Sequence, residues 1–258
     1  MQYVVDDLEG RILAALAGAV AGESRAAIPT GASQLLSAAE SMADQSGYEE
    51  PDLRERGLDT LPPTGIAALP LRALAYGLAT PADRPLLRRS AHRSARLAGG
   101  DEGTAMTAVA AAVLATDLLR FDLSWSLTRL HQTLLEEAPL ALLHRLQPLP
   151  PDAPLRGDGD PGAALQIAIT ALDRADSVPD VLDELSAYGE DLGVAFSLAA
   201  ALAGARSGTA GDVQWLEDVP SRIRDLAGRL AGHARSRLPD NSRSGRATRI
   251  ESSSHERT

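Results

Sequence analysis

The chain has 258 residues, is 44% hydrophobic and contains no Cys, which is enough to bury one full core and excludes disulfides and thiolate metal sites. Its formal charge is −10, from 35 acidic residues against 25 basic ones, so the body repels phosphate backbones and no nucleic-acid partner is expected. Every one of those 25 basic residues is Arg; with abundant Ala, Gly and Pro this reads as codon bias in a GC-rich genome or adaptation to salt, not as a binding signature.

In chain order, Asp6-Asp7-Leu8-Glu9 stands where a secretory signal would need positive charge and then an apolar run, so a cytoplasmic protein is expected. Leu8, Ile12, Leu13, Leu16 and Val20 recur at helical spacing, and Thr30-Gly31-Ala32-Ser33 opens a second helical pattern through Leu35, Leu36, Ala39 and Met42. Val109, Val113, Leu114 and Leu118 repeat the spacing. The segment from Leu123 to Leu146 reads as one long helical pattern with Leu127, Leu130, Leu134 and Leu135, ended by Gln147-Pro148-Leu149-Pro150-Pro151. His131 and His144 lie on it without a carboxylate at metal spacing, which predicts packed or exposed histidines. Asp158-Gly159-Asp160-Pro161-Gly162 is only superficially a calcium loop, because Ile169 stands at the closing position, and it reads as a turn into a helix.

Further helical patterns cover Ala163 to Ala175 and Val178 to Tyr188. Gly189-Glu190-Asp191-Leu192-Gly193-Val194 then runs into a helix whose Ala199, Ala200, Ala201, Ala203, Gly204 and Ala205 let neighbours approach on every face, which predicts a central, buried position. The charge-free stretch from Leu192 to Ala205 is too short to cross a bilayer of roughly 30 Å, so no membrane partner is expected. A last helical pattern spans Val219 to Arg237. No run of alternating β-branched residues interrupts this series, so the expected fold is all-α, a compact single domain of roughly ten helices over residues 1–234. From Arg235 to Thr258, six Arg against three acids and almost no apolar residues predict a disordered Arg/Ser-rich tail.

Thr30-Gly31-Ala32-Ser33 and Gly189-Glu190-Asp191-Leu192-Gly193-Val194 together resemble the two metal-holding motifs of the ADP-ribosylglycohydrolase family, the dinitrogenase-reductase-activating type, which read Thr-Asp-Asp-Thr and Gly-Gly-Asp-x-Asp-Thr. The likeness runs from about Gly10 to Arg229. Gly10 to Glu23 is similar to the family's opening helix, which closes in Gly-Asp where this chain has Gly22-Glu23. Thr64-Gly65-Ile66-Ala67-Ala68-Leu69-Pro70 stands where the family has Asn-Gly-x-x-Met-Arg-x-x-Pro, and Ser94 to Gly99 where it has Ser-Ala-x-x-Thr-His, with Ala98 and Gly99 in the last two places. Ala163 to Ser177, and Trp215 with the helix after it, also resemble family segments.

The resemblance implies a family-type helical bundle and, in a full member, cleavage of a glycosidic bond to ADP-ribose by two divalent ions. Here Gly31 and Ala32 occupy two Asp positions, and Gly193 and Val194 replace a further Asp and a Thr; Asp191 alone of the four carboxylates remains, with Glu23 as one addition. That is too little charge for two dications, so no metal and no cofactor are expected. The implied cleft is lined by Glu23, Thr30, Ser33, Asp158, Gly189 and Asp191, with Asp191 and Glu23 as acid/base candidates and Thr30, Ser33, Asp158 and Gly189 as ligand contacts. Each has an ordinary alternative: Asp191 as a helix N-cap, Thr30 and Ser33 as helix-start residues, Glu23 as a polar helix end. The expected partner is a small molecule in the central cleft, with a homodimer left open. Three functions are open to such a chain: metal-independent chemistry on a small molecule, as in specialised metabolism; non-catalytic recognition of ADP-ribose or a nucleotide; or ADP-ribosylglycohydrolase activity with ligands from other positions.

Overall fold

The computed structural model describes residues 7–157, 159–209 and 214–237. Among them the chain forms twelve α-helices: α1 Leu8–Arg25, α2 Ala32–Gln45, α3 Glu50–Glu55, α4 Leu69–Ala79, α5 Arg84–Leu97, α6 Glu102–Leu118, α7 Leu123–Leu134, α8 Leu140–Arg145, α9 Pro161–Arg174, α10 Val178–Ser186, α11 Val194–Ser207 and α12 Ser221–Ser236. Short 3-10 turns at Gly65–Ala68, Glu190–Leu192 and Gln214–Leu216 join some of them, and the described residues hold no strand. The all-α expectation holds, with two more helices than the periodicity suggested. The extra count comes partly from the 123–146 segment, where Pro139 stands before α8 and divides the expected single helix in two.

Local chemistry sets most helix starts. Asp83, Asp101, Asp122 and Asp160 accept backbone N–H bonds from Leu86, Thr104, Trp125 and Ala163, and Ser177 does the same for Asp180, each satisfying a donor that the first turn leaves orphaned. Neither α2 nor α11 has such a cap; both begin at a glycine with positive φ, Gly31 and Gly193. Both of these glycine starts fall at the candidate site.

Three helices are buried on every face and lie inside. Every residue of α4 is buried, as is every residue of α6 from Thr104 to Leu118 and of α11 from Val194 to Ala205. The Ala-rich helix is therefore central, as its composition predicts. Against it, α1 runs antiparallel: Cβ atoms added at Gly22, Gly18 and Gly204 would lie 2.5 Å from Ser197 Cα, 2.4 Å from Ala200 O and 2.2 Å from Ala14 O. Backbones this close admit nothing larger than hydrogen at those positions. Around this seam α9 and α10 pack on α11, α12 packs on α1, and α2, α4, α5 and α6 form the adjoining layer.

Arginine forks tie helix ends together. Arg11 donates to the carbonyls of Leu118, Ala205 and Arg206, which close α6 and α11, and Arg206 donates to Leu172 and Ala175 at the end of α9. The fully buried Asp117 receives Arg84 on both oxygens at 2.5 Å. No helix among the described residues is long and apolar enough to cross a membrane. Of the expected tail, Arg235 and Ser236 complete α12 and Arg237 follows; 238–258 lie outside the described residues.

Candidate functional site

Two segments meet beside the start of α11: the linker from α1 into α2, and the loop Gly189 to Gly193. In the first, Glu23 reaches from the last turns of α1 to the start of α2. Its Oε1 accepts from the backbone N–H of Thr30 at 2.9 Å, Gly31 at 3.1 Å and Ala32 at 3.3 Å. Thr30 and Ser33 do not cap α2, as local rules suggest; a carboxylate seven to nine residues upstream does, and it also complements the helix dipole.

Thr30 is fully buried and its hydroxyl lies 2.5 Å from that of Ser197 on α11, which in turn donates to Ala19 O at 2.7 Å. Ser197 has one proton, and it is given to Ala19. Thr30 therefore donates to Ser197, and its 3.3 Å approach to Glu23 is the weaker option. Gly31 has φ +91, and a Cβ there would stand 3.0 Å from Ala68 Cβ. Ala32 is 0% exposed. Ser33 is exposed. At the two positions where the resemblance places aspartates, the structure thus has a left-handed glycine against Ala68 and a sealed alanine, with a neutral hydroxyl chain beside them.

The second segment carries Asp191 in a 3-10 turn, and α11 starts two residues after Leu192 with Gly193 as its cap position, so Asp191 is not that helix's N-cap. Its carboxylate is exposed and borders a cavity of about 120 Å³. Ile28, Ala67, Ala164, Leu192 and Val194 supply apolar walls. Gly157 lies against the motif backbone, where a Cβ would come within 2.6 Å of Asp191 O. Asp160 also borders the cavity, but it caps α9 and pairs with Arg145. Thr64 borders it as well, and its Oγ1 is buried without a hydrogen-bond partner. That oxygen has almost no accessible surface, so it does not itself face the cavity.

Of the sequence candidates, Asp191 lines the cavity. Glu23, Thr30 and Ser33 do not; the first two form the hydrogen-bonded corner just described. Gly189 is exposed at φ +106 and is not a wall residue. Asp158 lies outside the described residues, although its neighbours Gly157 and Gly159 border the cavity. Thr64 and Ile28 were not singled out by sequence reasoning. The only signal for Thr64 was its place in the Thr64–Pro70 segment, because a buried orphan is a property of packing. His131 is held by the carbonyls of Leu127 and Leu143, and His144 is exposed, as their lack of carboxylate partners predicts.

Among the described residues the donor set does not fit a pair of divalent ions. Hard cations want several charge-matched oxygens each. The cavity offers Asp191 and an Asp160 already committed to a cap and a guanidinium, and among the described residues no three His, Asp or Glu side chains are grouped to hold a metal.

With the geometry in hand, the chain can be set beside known proteins. A sequence model of the ADP-ribosylglycohydrolase family matches residues 63–239, which include Asp191 and Thr64 and stop short of Thr30 to Ser33. A solved structure described as an ADP-ribosylglycohydrolase-related protein complex superposes with a TM-score of 0.75 at 20% identity, covering 90% of this chain and 99% of its own. That likeness establishes the fold. No curated protein matches the sequence.

Proposed function

The chain belongs to the ADP-ribosylglycohydrolase family, and we propose that it keeps the family's helical cleft while working without a two-metal centre, taking a small molecule into the cavity beside Asp191. The observation that carries this reading is the corner around Gly31 and Ala32. Where the family's first motif would need two carboxylates, Gly31 adopts φ +91 against Ala68 and Ala32 is sealed, so neither position supplies one, and the neighbouring Glu23 is engaged by backbone N–H groups. An unpaired carboxylate introduced at such a position would cost several kcal/mol.

What remains among the described residues is one free carboxylate and an apolar wall. Asp191 can orient a ligand donor, or take and return a proton at a carboxylate oxygen. Glu23 keeps its place in the reading as the group that holds the Thr30–Ala32 corner, through the three backbone bonds it accepts.

A screen of compounds with few heavy atoms by ligand-observed NMR, with EDTA present, tests the proposal. Binders are expected with the wild type and lost in Ala164→Leu, whose side chain fills the cavity; those that donate to Asp191 are weakened in Asp191→Asn without a change in melting temperature. Binding that appears only after manganese is added, or that is unaltered in Ala164→Leu, would reject it.

A further inference from the structure

We infer that the cavity selects a small primary amine in its ammonium form, with an apolar body of about the size of a butyl group. The inference rests on the reading of this cavity as the ligand site and adds the chemical class of its occupant.

Charge is the first ground. Among the described residues the wall includes two carboxylates and no Arg or His. Asp160 is neutralised by Arg145, whereas Asp191 has no partner among the described residues. The uncapped start of α11 brings partial positive charge at Gly193 and Val194, worth about half an elementary charge. Asp191, three residues ahead of Val194, sets a full negative charge against it, so the balance is negative. A cation is drawn to such a space; a carboxylate or a diphosphate is repelled.

Hydrogen bonding is the second ground. Asp191 only accepts. A primary ammonium carries three donors and no acceptor, which serves both oxygens of its carboxylate. Size and surface are the third. The cavity of about 120 Å³ is somewhat smaller than a roughly 150 Å³ engineered cavity that holds benzene, and well under the range of about 300–1,000 Å³ typical of drug-sized ligands. Its walls are aliphatic, and Ile28 at its rim is 54% exposed, an apolar surface a ligand would cover.

Three probes of one shape separate these grounds: isobutylammonium, isobutanol and isobutyrate, titrated at millimolar concentration and neutral pH while backbone amide shifts of Ala164, Gly193 and Val194 are followed. Isobutylammonium is expected to bind about three- to five-fold more tightly than isobutanol, the range for an ion pair with an exposed carboxylate, with isobutyrate weakest. Asp191→Asn should erase the preference for the amine and leave isobutanol binding in place. If isobutanol or isobutyrate equals the amine while Ala164→Leu abolishes them all, the amine assignment is overturned and the cavity remains a ligand site. If none of the three moves those amides, the ligand-site reading itself fails.

Discussion

At Glu23 a single carboxylate oxygen organises the turn between α1 and α2. Of the three backbone N–H groups it receives, those of Thr30 and Gly31 lie just before α2 and that of Ala32 opens its first turn, whose cap position is Gly31, which has no side chain. Glu23→Ala should lower stability by about 1–2 kcal/mol in urea unfolding, while Glu23→Gln, which keeps an oxygen acceptor, should lose less. Unchanged unfolding in Glu23→Ala would remove the capping role. The sequence identified Glu23, Thr30 and Asp191 as the polar residues of interest, but not their division of labour. Capping rules look three residues ahead, and this cap crosses a loop of seven; the orphaned state of Thr64 depends on which side chains surround it, which no spacing encodes.

Helix packing was legible where composition alone decides it. A segment with Ala or Gly at six of the seven positions from Ala199 to Ala205 can only be useful where other backbones come close, and α11 is buried from Val194 to Ala205. Its partner was not legible, since nothing local matches Gly18 and Gly22 of α1 to Ala200 and Ser197. The break inside 123–146 was missed because the leucine spacing continues across it and Pro139 was outweighed by the pattern on either side. The seam gives a direct contrast between two glycines. In Gly204→Ala the added Cβ meets Ala14 O, so α1 and α11 must part, at about 3 kcal/mol. In Gly232→Ala on α12, where nothing lies within 4 Å, the change should stabilise by up to about 1 kcal/mol. Equal melting temperatures for the two variants would contradict the close crossing.

For the molecule as a whole, the proposed reading separates family membership from chemistry. The helical scaffold, the arginine forks at its helix ends and the central α11 hold the site in place, and at the positions where the resemblance expects acids and a threonine the chain has Gly31, Ala32, Gly193 and Val194. Adding Asp at Gly31 would not restore the centre, because that residue's φ of +91 and the Ala68 contact both oppose a side chain there. The most direct test equilibrates the purified protein with excess manganese, desalts it and counts metal per chain by elemental analysis. The expected result is no retained manganese; two ions per chain would contradict the account.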